Sequence, residues 1–288
     1  MTTLNLNGCV VCDGELSQGR TRWHAVCRSC AYEGAALEPS INDAQPGSLN
    51  EDDREIGLRA IRTENFRALT DRLGALCSPA QRKLLDVGCA HGWFLEAAHG
   101  RFDVLGVEPD EFVARRTKER GLPVRVGYFP DALSEGEQFD VIAFNDVIEH
   151  VPDIRAAIAA VHRHLAPGGL LMLNLPNSRG FFYRTSKLLS RFGWAAPFER
   201  LWQKDLPSPH LHYFDRRNLA RMVGAHGFEQ VHSSELPSVR ARGLLERIRC
   251  AGTSSTAGVY VQYAAALLSL PLVRLFESDI IVAVFRKR

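Results

Sequence analysis

Hydrophobic and polar positions along the chain follow two periods. Short apolar runs at Lys83–Val87, Val104–Val107, Val124–Val126, Phe139–Phe144 and Leu170–Leu175 predict strands. Between the last two, Ile154, Ala157, Ile158, Val161 and Leu165 hold helical spacing, and Pro167-Gly168-Gly169 predicts the stop. Asp215 is a good N-cap for a second helix running through Leu219, Met222 and Val223 and ended by Gly227. Two more strands are predicted near Phe228–His232 and Asp279–Phe285. Strands alternating with helices build a mostly parallel sheet covered on both faces. The expected fold is therefore α/β and doubly wound, with seven strands. Ahead of it, Ile56, Ile61, Phe66, Leu69 and Leu73 predict an amphipathic helix within Arg54–Cys77.

Two segments interrupt the alternation, residues 177–214 and 236–277. Both are too long for plain connections, so each is expected to fold over something, the first as a lid. Within the second, Val259–Val273 is almost wholly apolar and follows Arg240, Arg242, Arg247 and Arg249. It is short for a membrane span. A buried or dimer-forming helix is the expectation, with peripheral membrane contact through 240–273 as the alternative.

Composition narrows the class. At 288 residues the chain can hold one full catalytic domain and a small appendage. Its 45% apolar and 24% charged residues are ordinary for a globular protein. A net charge of +2 argues against binding driven by nucleic-acid phosphates. Met1 to Val11 has neither a basic start nor an apolar run of signal-peptide length, which makes the cytoplasm the expected location. The expected organisation is a cysteine-rich unit at 1–38, then a linker and leading helix at 39–80. A catalytic domain at 81–288 follows. The linker centres on Pro46-Gly47-Ser48.

Four of the seven cysteines, Cys9, Cys12, Cys27 and Cys30, form two CxxC pairs fourteen residues apart. Each pair brings two thiolates onto one ion from a tight turn, and two turns complete a tetrahedron. An all-sulfur set suits Zn2+ and excludes hard cations. Four sulfurs leave no open position, so the expected role is structural. A unit this short cannot bury enough apolar surface alone, which makes the metal its core. Arg20, Arg22, Trp23, His24 and Arg28 lie between the pairs; they could contact an acceptor or form a solvated face.

The chemistry of the larger domain starts at Leu84-Leu85-Asp86-Val87-Gly88-Cys89-Ala90-His91-Gly92-Trp93. An apolar strand meets an acidic residue, and a turn of small residues opens a helix, allowing close ligand approach to the backbone. Trp93 stands where a nicotinamide-binding fingerprint needs glycine or alanine, which argues against a dehydrogenase. Glu108 ends the second strand, twenty residues past Gly88. A carboxylate there can accept from both hydroxyls of a ribose.

The stretch at 84–95 resembles the first motif of class I S-adenosylmethionine-dependent methyltransferases, of the type 23 domain kind, with Ala90 in place of the usual middle glycine. Phe139-Asp140-Val141-Ile142-Ala143-Phe144-Asn145-Asp146-Val147-Ile148-Glu149-His150 resembles their fourth motif, and Leu165-Ala166-Pro167-Gly168-Gly169 the next. The resemblance runs from about residue 81 to the C-terminus. It implies a Rossmann-like methyltransferase fold and S-adenosyl-L-methionine as cofactor. The residues it implies for cofactor binding are Asp86, Gly88, Ala90, Gly92, Glu108, Asp131 and Asn145.

Methyl transfer needs acceptor and methyl held in line, and a hydroxyl acceptor must also lose a proton. A histidine suits that task. His150 closes the fourth motif. His210 lies in Pro207-Ser208-Pro209-His210-Leu211-His212-Tyr213-Phe214, which resembles a His-x-x-Tyr-Phe segment of sugar methyltransferases that also carry an N-terminal zinc domain. That resemblance implies an acid–base role for His210, although Pro209 replaces their preceding glutamate. The expected function is methyl transfer to an oxygen of a small molecule, sugar or lipid-linked glycan. An RNA methyltransferase with an N-terminal zinc finger is the alternative. Against it, Asn145-Asp146-Val147-Ile148 stands where an Asn-Pro-Pro-Tyr type motif would follow the fourth strand. A non-catalytic binding module is a third reading, opposed by the intact Asp86, Gly88 and Glu108.

Overall fold

A computed structural model of the protein describes residues 8–40, 51–241, 243–250 and 256–288. The expected linker centre Pro46-Gly47-Ser48 and Arg242 lie outside the described residues.

Three short strands come first: β1 (Leu16–Gln18), β2 (His24–Cys27) and β3 (Glu33–Ala35). A long helix, α1 (Glu51–Leu76), leads into the alternation β4 (Lys83–Val87), α2 (Trp93–Ala98), β5 (Asp103–Glu108), α3 (Glu111–Glu119), β6 (Val124–Val126) and β7 (Phe139–Asn145). A single 3-10 turn, Ile148–His150, then precedes α4 (Ile154–His164) and β8 (Leu165–Pro176). Residues 177–214 fold as α5 (Phe181–Arg191), α6 (Ala196–Leu201) and β9 (His212–Tyr213). The chain closes with α7 (Arg216–Gly224), β10 (Phe228–Leu236), α8 (Leu244–Cys250), α9 (Thr256–Val273) and β11 (Ile280–Lys287).

The main sheet has seven strands in the order β10-β11-β8-β7-β4-β5-β6. From β8 to β6 neighbouring strands run parallel, and β11 is antiparallel to both of its neighbours. The α/β doubly wound expectation holds, with its seven strands. Alternation along each strand decides which face a side chain joins. Leu85, Val87, Ile142, Phe144, Leu171 and Leu173 pack with α4 and α7 on one face. Leu84, Val141, Ala143, Leu170 and Met172 pack with α1 and α2 on the other. Phe66, Leu69 and Leu73, spaced three and four apart, are the buried stripe of α1.

Local signals account for the boundaries. Asp215 caps α7 by accepting from the N–H groups of Arg217 and Asn218, and the Asn218 side chain returns to the Asp215 N–H. Leu165 differs from expectation: it keeps helical spacing but already pairs with Phe139 in the sheet. Pro167 cannot donate to a helix ladder, and Gly168 turns at φ +71°. The helix therefore stops at His164.

The N-terminal strands do not stand apart. They form an antiparallel sheet in the order β1-β2-β3-β9, whose fourth strand comes from the far side of the sequence. Glu33 pairs with Tyr213 and Gly34 with His212. Arg155 of α4 holds the same unit from below, donating to the carbonyls of Val10 and Cys9. On α9, Tyr260, Val261 and Leu268 are exposed and Val259 is buried. Among the described residues no helix is long and apolar enough to cross a membrane.

Candidate active site

The carboxyl ends of β4, β5, β7 and β8 bring the predicted cofactor residues together. After β4 the backbone turns through left-handed positions at Gly88 (φ +68°), Ala90 (φ +43°) and Gly92 (φ +72°). A Cβ on Gly88 would lie 2.6 Å from the Val147 side chain, so glycine is required there twice over. Glu108 fastens this turn to the next strand. Its carboxylate accepts from Ala90 N–H at 2.9 Å and from Asp110 N–H at 3.0 Å. Burial pushes its pKa up despite those bonds.

Asp86 is buried behind the turn and accepts from Asn145 Nδ2 at 3.0 Å. Burial, with the nearby charge of Glu108, raises its carboxyl to about 7. Asn145 in turn accepts from Asn174 Nδ2 at 3.4 Å, which links three adjacent strand ends. Asp146 takes a left-handed conformation (φ +56°) and accepts from Arg62 of α1 at 3.1 Å. Arg62 was not legible as a site residue, because nothing in its own helix marks it. Asp131 sits exposed in the turn after β6, joined to none of the others among the described residues.

These groups fit S-adenosylmethionine. Each Glu108 oxygen keeps a second lone pair for a ribose hydroxyl. Asp86 and Asn145 offer acceptors to an ammonium, and the Gly88–Gly92 turn leaves the backbone open to close approach.

One turn beyond β7 lies a second cluster. Glu149 is fully buried, and neither carboxyl oxygen has a hydrogen-bond partner. Its Oε1 lies 3.8 Å from His150 Nε2 and 4.0 Å from His210 Nε2. The two imidazole rings meet edge to face with centroids 4.7 Å apart. The ligand atoms of all three residues lie within 4.8 Å of one another, close enough to share a proton or a small cation. His150 Nδ1 donates to the Pro209 carbonyl at 2.8 Å, which makes Nε2 its basic nitrogen. Gln203 Nε2 donates to His210 Nε2 at 2.8 Å, and His210 Nδ1 lies 3.4 Å from the Tyr213 hydroxyl. Burial, with the Asp146 charge added, holds Glu149 well above the usual carboxylate range. Burial also holds His210 well below the usual imidazole value, with His150 adding to the depression.

The structure thus places His150 and His210, the two candidate bases, side by side with the carboxyl of Glu149. Pro209 itself contributes only its backbone carbonyl, to His150. The carboxyl is that of Glu149, from the turn that follows β7.

In the N-terminal sheet the four cysteine sulfurs also lie within 4.8 Å of one another, with Cys9 and Cys30 3.4 Å apart and Cys12 and Cys27 3.5 Å apart. Tetrahedral zinc with sulfur ligands at ~2.3 Å needs edges of about 3.8 Å. The set fits such an ion with small adjustments. The unit's junction with the larger domain is polar and buried. Glu33 accepts from His24 Nε2 at 2.9 Å, Tyr183 Oη at 2.8 Å and Lys187 Nζ at 2.7 Å. Arg20 N–H donates to His24 Nδ1 at 2.9 Å, so the His24 proton sits on Nε2 and points at Glu33.

Sheet order, the small-residue turn and the carboxylate on the second strand together define an S-adenosylmethionine-dependent methyltransferase. Residues 58–233 match the profile of the family described as a methyltransferase domain, and the chain belongs to that family. Among curated proteins it is similar to the ubiquinone biosynthesis O-methyltransferase of Methylococcus capsulatus, at 34% identity over 108 residues (35% of this chain and 46% of that protein). It is likewise similar to that of Paramagnetospirillum magneticum, at 38% over 121 residues (39% and 48%). The chain spans less than half the length of these relatives. A solved S-adenosylmethionine-dependent methyltransferase from Thermotoga maritima shares the fold, with a TM-score of 0.54 and 19% identity, over 83% of this chain and 95% of that one.

Proposed function

We propose that this enzyme methylates a hydroxyl oxygen of a small molecule, with His150 as the base. The acceptor class includes a sugar or a lipid-linked glycan, as the His210 segment suggests. The observation that carries the reading is the Glu149–His150–His210 cluster just beyond Asn145, in which Glu149 and His210 are buried and His150 is partly exposed. When bound, S-adenosylmethionine supplies an electrophilic methyl on a sulfonium. As the new carbon–oxygen bond forms and the carbon–sulfur bond breaks, the hydroxyl proton goes to His150 Nε2. The Pro209 carbonyl accepts from Nδ1–H, which fixes the imidazole tautomer and stabilises the imidazolium once Nε2 has taken the hydroxyl proton. His210 is buried, neutral and bonded to Gln203, so it packs against and orients the base. The small-molecule reading is also supported by the similarity to O-methyltransferases. Zn2+ is assigned to Cys9, Cys12, Cys27 and Cys30, where it holds the N-terminal sheet against β9.

With a hydroxyl acceptor found by screening phenols and glycosides, His150→Ala should lower turnover by roughly 10²–10⁴-fold. Cofactor affinity should hardly move. Near-normal turnover in His150→Ala, with loss in His210→Ala, would transfer the role of base to His210.

A further inference from the structure

A cleft of about 640 Å³ opens between the N-terminal sheet and α5. Its charged walls are all cationic: Arg20 from one side, and Arg179, Arg184, Lys187 and Arg191 from the other. Among the described residues no carboxylate lines it. Arg179 is paired with Glu277 and Lys187 with Glu33. Among the described residues, Arg20, Arg184 and Arg191 have no carboxylate within salt-bridge distance, and all three are exposed. Phe181, Leu188 and Phe276 add apolar surface to the same space.

Sequence and fold explain why these groups converge. Residues 181, 184, 188 and 191 recur at three and four along α5, so they share one helix face. Phe276 precedes β11, which runs antiparallel to β8, and Arg179 follows β8. The cleft therefore opens at the same end of the sheet as the cofactor turn. Its two walls are held in register by the buried junction. The Arg20 backbone is bonded to His24, His24 to Glu33, and Glu33 to both Lys187 and Tyr183 of α5. Tyr183 stacks on Tyr213 at 4.2 Å between centroids, and Tyr213 adjoins His210, so the same scaffold carries the cleft and the histidine cluster.

Three uncompensated guanidiniums and an apolar floor suit a ligand that joins a phosphate to an apolar body, because a guanidinium matches phosphate oxygens in a bidentate fork. We propose that this cleft binds the phosphate or diphosphate group of an amphipathic acceptor, and that the zinc-bearing sheet serves catalysis by supplying Arg20. The ligand's standing as acceptor rests on the oxygen-methylation reading; the binding does not.

The test uses the full chain with its metal, titrated calorimetrically with inorganic diphosphate. Wild type should bind, more weakly as salt rises. Replacing Arg20, Arg184 and Arg191 by alanine should weaken binding by about tenfold per guanidinium removed. All three are exposed, so the variant should keep its affinity for S-adenosylhomocysteine, which reports the fold. A second arm offers phosphatidylcholine vesicles with and without phosphatidic acid. Binding only to the phosphatidic acid vesicles, lost in the triple variant, supports the proposal with a lipid headgroup as the phosphate source. Binding of diphosphate in solution, lost in the same variant, supports it with a soluble source. No binding by wild type in either arm, or equal binding by the variant, overturns it. Diphosphate binding that persists while no hydroxyl compound is ever methylated would sink the oxygen-methylation reading and leave the cleft standing.

Discussion

Asp86 is expected to couple cofactor binding to protons. Its carboxyl, raised to about 7 chiefly by burial, is largely protonated at mildly acid pH without ligand. An ammonium placed beside it favours the charged form and draws the pKa back down. Binding must therefore release a proton wherever the free protein holds one, and affinity should rise as pH climbs toward about 7. Calorimetry of S-adenosylhomocysteine binding in buffers of different ionisation enthalpy measures that release. Asp86→Asn should abolish it; an undiminished release in that variant would remove Asp86 from the ammonium's surroundings. Position 86 was legible because the strand-then-turn pattern is local. Glu149 was quoted within its motif but not legible as a buried acid, since His210 and Leu211 reach it from about sixty residues away in the chain. No local pattern marks Gln203 as the donor to His210 Nε2.

At the scale of elements, the strands of the large sheet were readable because each must put alternate residues on two apolar faces. The β3–β9 pair was not. Two residues are too few to show a period, and His212 and Gly34 are joined across nearly two hundred positions of sequence. The Pro207–Phe214 segment, singled out for one histidine, also builds the junction that carries the N-terminal sheet. That junction depends on Glu33. Burial pushes its carboxyl up, but the bonds from His24 and Lys187 outweigh burial and hold it below the usual value. A depressed carboxylate adds stability above its unfolded pKa, and that stability is lost as pH falls through the folded value. Glu33→Gln should cost about 3 kcal/mol, the low end for breaking a buried pair, because Lys187 remains a quarter exposed. Thermal melting checks this: the variant should melt lower at neutral pH, with the gap closing in acid. An unchanged melting temperature would mean the junction is held by its aromatic packing alone.

For the whole molecule, the N-terminal sheet carries the four-cysteine cluster and is joined to the domain beside it through β9. Purified protein should carry one zinc per chain, since one tetrahedral sulfur set is present. Chelation should raise hydrogen exchange at residues 33–35 and 212–213 while leaving β4, β5 and β7 protected, because the large sheet has its own core on both faces. Uniform deprotection would show that the two parts fold as one unit. Cofactor binding depends above all on the turn that Glu108 fastens between β4 and β5, which is expected to hold S-adenosylmethionine. The most direct test is calorimetric titration of the full chain with S-adenosylhomocysteine, wild type against Glu108→Ala. One site per chain is expected, weakened in the variant by roughly 1.5–3 kcal/mol, or about ten- to a hundredfold. No binding by wild type, or equal affinity in a folded variant, would contradict the account.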